Sequence, residues 1–321
     1  MIFLLEYYKV SKDGITEGTK EDYDWLNICN PSDAEIDLVA NRTYMNADDV
    51  GLILSNNQSN RIEGLAEPDI PLTLILQYPI RLKHSLGDIP EFDTNPIIAI
   101  LTNGDDSDDL ITISRKQPKF LNMIKSQDDM LRKDIVSKKD ILLLLIYYLS
   151  SEFNDILSDL KYESTKIEDS LKMSTDNQTL YQIMAEQKTI SSFVGSIKNN
   201  KVICDKIISD TNYFEKEEYT ELARVASVEL NDAYELAQQL DYLLDKYAGL
   251  SASIVGNNQA KSINKLTMYT IVLSVIATMC GALGINYPIP GENAPVMFWV
   301  AITSMLVIGT VTGVALKKIL K

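Results

Sequence analysis

Residues 266–321 read LTMYTIVLSVIATMCGALGINYPIPGENAPVMFWVAITSMLVIGTVTGVALKKILK. Two runs in this stretch carry no charged side chain, Leu266 to Ile285 and Asn293 to Leu316. Each is close to the ~20 residues that cross a bilayer as a helix, the form in which every backbone N–H and C=O finds a partner within its own segment. Between the runs lies a short polar turn from Asn286 to Asn293 that contains Pro288, Pro290 and Gly291. The pattern predicts a helical hairpin in a membrane at the C-terminal end of the chain. Its parts are a first span at 266–286, an outer loop at 287–293, a second span at 294–316 and a basic tail at 317–321.

The charges flanking the hairpin set its orientation. Lys261 and Lys265 precede the first span, Lys317, Lys318 and Lys321 follow the second, and the turn has neither Lys nor Arg. By the positive-inside rule both ends face the cytoplasm and the turn faces out. Residues Met1 to Val10 carry Glu6, lack a basic n-region and show no small-residue cleavage signal, so they do not read as a signal peptide. The expected location is the cell membrane, multi-pass, with both termini cytoplasmic.

A length of 321 residues with 45% hydrophobic content suffices for a folded soluble part as well as two spans. The formal charge of −15 argues against nucleic acid, whose phosphates are bound by clustered Lys and Arg, and suits cations better. The plain alternative is that this charge only keeps the soluble part dispersed. Cys29, Cys204 and Cys280 are odd in number and far apart, so they support neither a disulfide framework nor a thiolate metal site. A reducing cytosol fits.

Upstream of the hairpin the chain falls into two regimes. Candidate strands are Ile2 to Tyr8, Trp25 to Cys29, Arg61 to Ala66, Leu72 to Leu82, Ile97 to Leu101 and Leu110 to Ser114. A helix N-capped by Ser32 runs to about Tyr44, and a second is expected over Asp48 to Leu54. This predicts a cytoplasmic α/β domain over 1–136 with a mixed or antiparallel sheet. After Pro118 helical periodicity takes over, with long helices at Ser137 to Lys172, Asp176 to Ser209 and from Glu215 onward. The resulting division is a long-helix pair at 137–214, a stalk helix at 215–265 and the transmembrane hairpin at 266–321. The apolar run Ile141 to Leu149 is too short to cross a bilayer and reads as a buried helix segment.

In the stalk, Tyr219, Ala226, Ala233, Leu240, Tyr247 and Ile254 repeat every seven residues, with Ala223, Leu230, Ala237, Leu244 and Ser251 four later. That is a coiled-coil seam. A second stripe of Leu222, Val225, Leu236, Leu243 and Leu250 lets the helix pack against two neighbours, one from its own chain and one from another subunit. No Pro interrupts Glu215 to Tyr287, and a helix continuous over that length extends roughly 100 Å at 1.5 Å per residue.

Enzyme chemistry finds no support. The chain has no P-loop, no GxGxxG, no HExxH and no GxSxG, and its lone His84 has no His or Cys partner. The cluster Asp105, Asp106, Asp108 and Asp109 lacks EF-hand spacing and reads as a solvated acidic turn. The stalk acids Glu229, Asp232, Glu235, Asp241 and Asp245 read either as a solvated face or as ligands for divalent ions held between chains, with Glu229 and Asp232 the candidate regulatory pair. At the outer end of the first span, Gly281 and Gly284 precede Asn286, whose amide offers a neutral carbonyl oxygen. Taken alone, Asn286 caps a helix and starts a turn.

The order of elements together with Gly284-Ile285-Asn286 resembles the CorA family of divalent-cation channels. Members carry an aromatic-Gly-Met-Asn motif, so Gly284 and Asn286 match while Leu283 and Ile285 depart. Leu266-Thr267 is similar to the family's Leu-Thr near the inner end of the pore helix, Gly281 to the glycine three residues before the motif, and Lys317-Lys318 to the basic tail; Val275 stands where many members have Pro. The resemblance implies a homopentamer in the lipid bilayer, with first spans lining the pore and second spans forming an outer ring. It assigns ion selectivity at the mouth to Gly284, Ile285 and Asn286, a hydrophobic gate to Ile263 and Leu266, and pore-lining positions to Ser274 and Gly281. It further implies passage of hydrated Mg2+, with Co2+ or Ni2+ tolerated, regulation by the same ion, and no organic cofactor. Ile285 also occurs in the ZntB-like branch, so Zn2+ transport, with or without proton coupling, is the alternative. A membrane-anchored coiled-coil scaffold that carries no ion is the reading from another class.

Overall fold

The computed structural model describes residues 4–11, 14–43, 46–52, 54, 60–65, 70–82, 90–102, 109–125, 137–173, 177–209, 217–283 and 295–319. Among these, seven strands form one sheet in the order β2-β1-β3-β7-β6-β5-β4. They are β1 (Leu4–Ser11), β2 (Gly14–Glu17), β3 (Trp25–Cys29), β4 (Arg61–Glu63), β5 (Leu72–Arg81), β6 (Phe92–Leu101) and β7 (Leu110–Ser114). Every pairing is antiparallel except β3 with β7, so the sheet is mixed. Two short helices, α1 (Asp33–Thr43) and α2 (Ala47–Leu52), follow β3, and a third, α3 (Lys119–Lys125), follows β7.

Alternation along the strands builds two cores, because successive side chains point to opposite faces. Leu26, Ile28, Ile75, Ile98, Ile100, Ile111 and Ile113 pack with Val39 and Val50 on the side of α1 and α2. Trp25, Leu74, Leu76, Tyr78, Ile97 and Ala99 pack on the other side with Phe120 and Leu121 of α3 and with the long helices. Those are α4 (Lys138–Met173), α5 (Asn177–Ser209) and α6 (Glu217–Leu283). The cap expected at Ser32 is in place, and α4 has one of its own at Ser137. Glu35 accepts from both the backbone N and Oγ of Ser32 at 2.7 Å, and Ser137 N donates to Asp140 Oδ2 at 2.7 Å, each closing the exposed first turn of its helix.

Ile141 to Ile146 are buried without exception, so the apolar run of α4 is core and not a span. α5 docks on the β5–β6 hairpin through side chains that imitate strand partners. Asn200 accepts from Gln77 N at 2.9 Å and donates to Gln77 O at 2.7 Å, while Thr189 Oγ1 accepts from Phe92 N at 3.2 Å. The α6 seam is real and is used within the chain, since Ala223, Ala226, Leu230, Ala233, Ala237, Leu240, Leu244 and Tyr247 are all buried in the same core as α4 and α5. Leu222, Leu236 and Leu243 of the second stripe are half-buried and Leu250 is exposed.

Three features escaped the sequence reading. β2 is only four residues long, α3 is a seven-residue helix, and β6 begins at Phe92, five residues before the predicted Ile97 and across Pro96. From Phe92 to Pro96 the strand pairs with β5 alone, the one-neighbour condition under which proline is tolerated in a sheet.

The chain divides into two compact units, Met1–Ala248 and Gly249–Lys321. In the second, the C-terminal part of α6 packs against α7 (Pro295–Ile319). A Cβ on Gly309 would sit a tight 3.3 Å from Ile276 Cδ1, whereas one on Gly313 would make ordinary contact with Val272 Cγ2 at 3.7 Å, so the closest approach of the two helices is at Gly309. We expect Gly309→Ala to be tolerated, because Ile276 Cδ1 is the movable end of a side chain. Gly309→Leu should lower the unfolding midpoint in detergent by several degrees, an outcome that circular dichroism melting checks.

Glu186 of α5 is 4% exposed and its Oε2 has no hydrogen-bond partner among the described residues. Burial, with a smaller contribution from the Glu163 charge, pushes its carboxyl from 4.5 up to about 7. The neutral form is therefore the one the fold accommodates. Its contribution is fully present below about pH 4.5 and is lost as pH rises through about 7. Glu186→Gln should raise the unfolding midpoint over wild type by several degrees at pH 8 and leave it nearly unchanged at pH 4.5.

Candidate functional site

The membrane part of α6 has two chemically distinct faces. At 3.6 residues per turn, Thr267, Thr270, Ser274 and Thr278 fall within an arc of about 80°, and Ile263 and Gly281 fall within the same arc. Met268, Val272, Val275, Ile276 and Met279 occupy an arc of about 100° on the opposite side. This second face is half-buried and the first is exposed. The difference is α7, which turns Ala301, Ile302, Met305, Gly309, Thr312, Gly313 and Leu316 towards α6. At the edge of the contact Cys280 Sγ lies 3.7 Å from Met305 Sδ. The hydroxyl face thus lies within the wider side that α7 does not cover, which also exposes Leu266, Tyr269, Ile271 and Leu273.

Three of the hydroxyls on it bond back to their own helix. Thr270 Oγ1 donates to Leu266 O at 2.9 Å, Ser274 Oγ to Thr270 O at 2.8 Å and Thr278 Oγ1 to Ser274 O at 2.8 Å. Each proton is thus satisfied within the helix itself.

Ile263 and Leu266 are 54% and 66% exposed, Ile263 on this face and Leu266 at its border. An added Cβ on Gly281 would meet nothing within 4 Å, so its face is open in a single chain. Gly284, Ile285 and Asn286 lie outside the described residues, as do His84 and Asp105 to Asp108. Asp109 is described and sits 3.8 Å from both Lys138 Nζ and Arg42 Nη1, which makes it part of a structural ion pair. Within one chain the stalk acids form no cluster of three or more ligands. Glu229 Oε1 accepts from Asn154 Nδ2 at 2.7 Å, Asp232 is exposed, and no group of three or more His, Cys, Asp or Glu suited to a metal occurs among the described residues. Sequence reasoning singled out Ser274 but not Thr270 and Thr278; their four-residue spacing in an otherwise apolar run was the available signal.

The sequence profile of the CorA-like Mg2+ transporter proteins matches residues 20–318. The chain belongs to this family. A cobalt/magnesium transport protein CorA of Methanocaldococcus jannaschii is 24% identical over 317 residues, covering 93% of this chain and 94% of that protein. The complete structure of the CorA magnesium transporter from the same organism matches with a TM-score of 0.75 at 19% identity over 97% of each chain. Full-length CmaX matches with a TM-score of 0.71 at 14% identity over 98% of each chain. The cytoplasmic domain of ZntB from Vibrio parahaemolyticus reaches 0.50 at 16% identity, covering 81% of this chain and 100% of that one. At these identities the solved structures establish a shared fold. Membership in the CorA family makes the protein a membrane transporter of divalent cations and not an enzyme.

A face that borders a water path differs from one that borders lipid in its access to water-borne reagents. In a Cys280→Ala background, Ser274→Cys should react with a membrane-impermeant, positively charged thiol reagent, and Val272→Cys, covered by α7, should not. Mass shift after labelling of intact vesicles reads the result.

Proposed function

We propose that the protein is a Mg2+ channel in which α6 of several identical chains surrounds the conduction path. The observation that carries this reading is the gathering of Thr267, Thr270, Ser274 and Thr278 into one arc on the side of α6 that α7 leaves open, beside the exposed Leu266, Tyr269 and Leu273. A single apolar hairpin has no use for such a face, since lipid gains nothing from hydroxyls; copies arranged about a common axis do. The CorA family favours five copies, with both termini in the cytoplasm and the α6–α7 turn outside.

In this mechanism Asn286 and the Gly284 carbonyl, with Ile285 between them, hold the ion at the outer mouth. Mg2+ keeps its tightly bound waters, and those waters donate hydrogen bonds to carbonyl oxygens, so the ion enters without being stripped. Ser274 and Gly281 line the path, and Ile263 with Leu266 closes it by dewetting near the cytoplasmic end. An inside-negative potential supplies about 4.6 kcal/mol per 100 mV for a doubly charged ion, from about 2.3 per elementary charge, so no ATP is needed. Cytosolic Mg2+ bound between copies favours the closed state. At Glu229 and Asp232 such an ion would need further ligands from a neighbouring copy, because Glu229 is already engaged by Asn154.

The residue that keeps a second cargo in view is Ile285, where the family's usual motif has Met, a change shared with ZntB-like members. Two measurements in liposomes separate the readings. Asn286→Ala should cut potential-driven Mg2+ uptake by at least tenfold; unchanged uptake would remove the central claim. In the wild-type protein, Mg2+ should outcompete Zn2+ at equal concentration and uptake should not depend on a pH gradient. Preferential, gradient-dependent Zn2+ entry would assign the protein to zinc transport.

A further inference from the structure

We infer that Lys261, Lys265 and Lys318 form a binding surface for the headgroups of anionic phospholipids in the leaflet at the Leu266 end of the spans. This surface lies on the side of the hairpin away from the hydroxyl arc, and its role does not depend on which ion the protein carries.

Charge in the Gly249–Lys321 unit is sorted to its two ends. Lys261, Lys265, Lys317, Lys318 and Lys321 flank the apolar runs at one end, and the unit's single acidic side chain, Glu292, falls in the turn at the other. In a protein of net charge −15 these lysines therefore have no carboxylate side chain near them in their own unit. Lys261, Lys265 and Lys318 are exposed, and each stands on continuous helix.

The seating of α7 brings the three to one depth. At 3.6 residues per turn, Lys261 and Lys265 fall in the arc of Met268, Val272 and Ile276, about 160° from Ile263. Gly309 meets Ile276 and Gly313 meets Val272, so four residues forward on α7 match four back on α6. Continued, that register sets Lys318 level with Thr267, about 3 Å along the axis from Lys265. The depth is the edge of the hydrocarbon, since Lys265 directly precedes the first apolar run and Lys317 directly follows the second.

Each cation also ends an exposed apolar stripe. On α7, Val300, Val307, Val311 and Val314 are exposed and share with Lys318 an arc of about 60° opposite the α6 contact. On α6, Tyr269 and Leu273 follow Lys265 at four-residue steps and are exposed as well. An ammonium at the end of such a stripe complements an amphiphile whose chain lies along the stripe and whose headgroup is negative. A zwitterionic headgroup carries its own cation beside its phosphate and gains less. No Lys or Arg stands between Asn286 and Ala294, so the preference belongs to one leaflet.

The test uses the full-length protein in phosphatidylcholine vesicles with a trace of chain-spin-labelled phosphatidylglycerol or phosphatidylcholine. Electron spin resonance reads the motionally restricted fraction of each probe at the protein surface. In the wild-type protein phosphatidylglycerol should associate at least threefold more strongly than phosphatidylcholine at low salt, and most of that preference should vanish at about 1 M salt. Lys261→Gln/Lys265→Gln/Lys318→Gln should bring the ratio to within 1.5-fold of unity. Lys261→Arg/Lys265→Arg/Lys318→Arg and the α5 control Lys198→Gln/Lys206→Gln should keep the wild-type ratio. Variants are compared at equal assembly state by size-exclusion chromatography; where the Gln variant fails to assemble, the wild-type ratio and its salt dependence decide alone. A wild-type ratio near unity overturns the inference, as does a Gln variant that keeps the wild-type ratio. If the lysines instead pair with the acidic part of a neighbouring copy, the wild-type protein shows no lipid preference and the Gln variant loses assembly, which overturns it too. The readout involves no transport, so its failure leaves the proposed function standing, and loss of that function leaves the lipid ratio unchanged.

Discussion

Hydrocarbon offers no hydrogen-bond partner, and the membrane half of this protein is arranged around that fact. The backbone of α6 and α7 satisfies itself as helix, and each hydroxyl of Thr270, Ser274 and Thr278 returns its proton to the helix that carries it. With no hydrophobic drive between helices in lipid, close packing must hold the pair together. Gly309 contributes by letting Ile276 come close to the α7 backbone. Once α7 is seated on that side, the hydroxyl face is left open together with Leu266, Tyr269 and Leu273.

The water-soluble unit solves the reverse problem, burying a large apolar surface while leaving few polar groups stranded. Strand alternation sends Ile-rich rows to α1 and α2, and Trp25, Leu74 and Tyr78 to the long helices. Where the sheet runs out of strands, α5 completes it with Asn200 and Thr189 side chains. A chain of bonds links Trp25 Nε1 to Thr112, Thr112 to Asn27, and Asn27 to Glu6, where Lys125 of α3 also ends at 2.7 Å. Burial alone would raise the Glu6 carboxyl, but the bonds from Lys125 and Asn27 outweigh it and hold it below its ordinary value. Glu186 of α5 and Glu152 of α4 lack sufficient compensation. Burial pushes both carboxyls up to about 7, so at neutral pH and above these two acids work against the fold.

The proposed passage of a hydrated ion requires no cluster of first-sphere ligands, and none occurs among the described residues of one chain. A stripped ion needs carboxylates, thiolates or imidazoles at fixed distances. A hydrated one needs only acceptors that its waters can reach, and neutral oxygens on a helix face provide them. The lone His84, the scattered cysteines and the dispersed acids of the stalk are consistent with that economy.

Much of this was legible in the residues themselves. The two apolar C-terminal helices, the cap at Ser32, β3 and β7 to the residue, and the seven-residue seam of α6 all follow from local periodicity and from side chains that act on their own backbone. Ile141 to Leu149 could be assigned to a core because a bilayer has a fixed thickness that nine residues cannot span. Sequence alone left open whether the α6 seam would meet its own chain or another, and which side of the first span would be free. Those depended on α4 and α5 filling the seam and on α7 taking the Val272 and Ile276 side. Such choices rest on packing between segments distant in the chain, where a pattern of apolar positions states that a face must be covered but not by what.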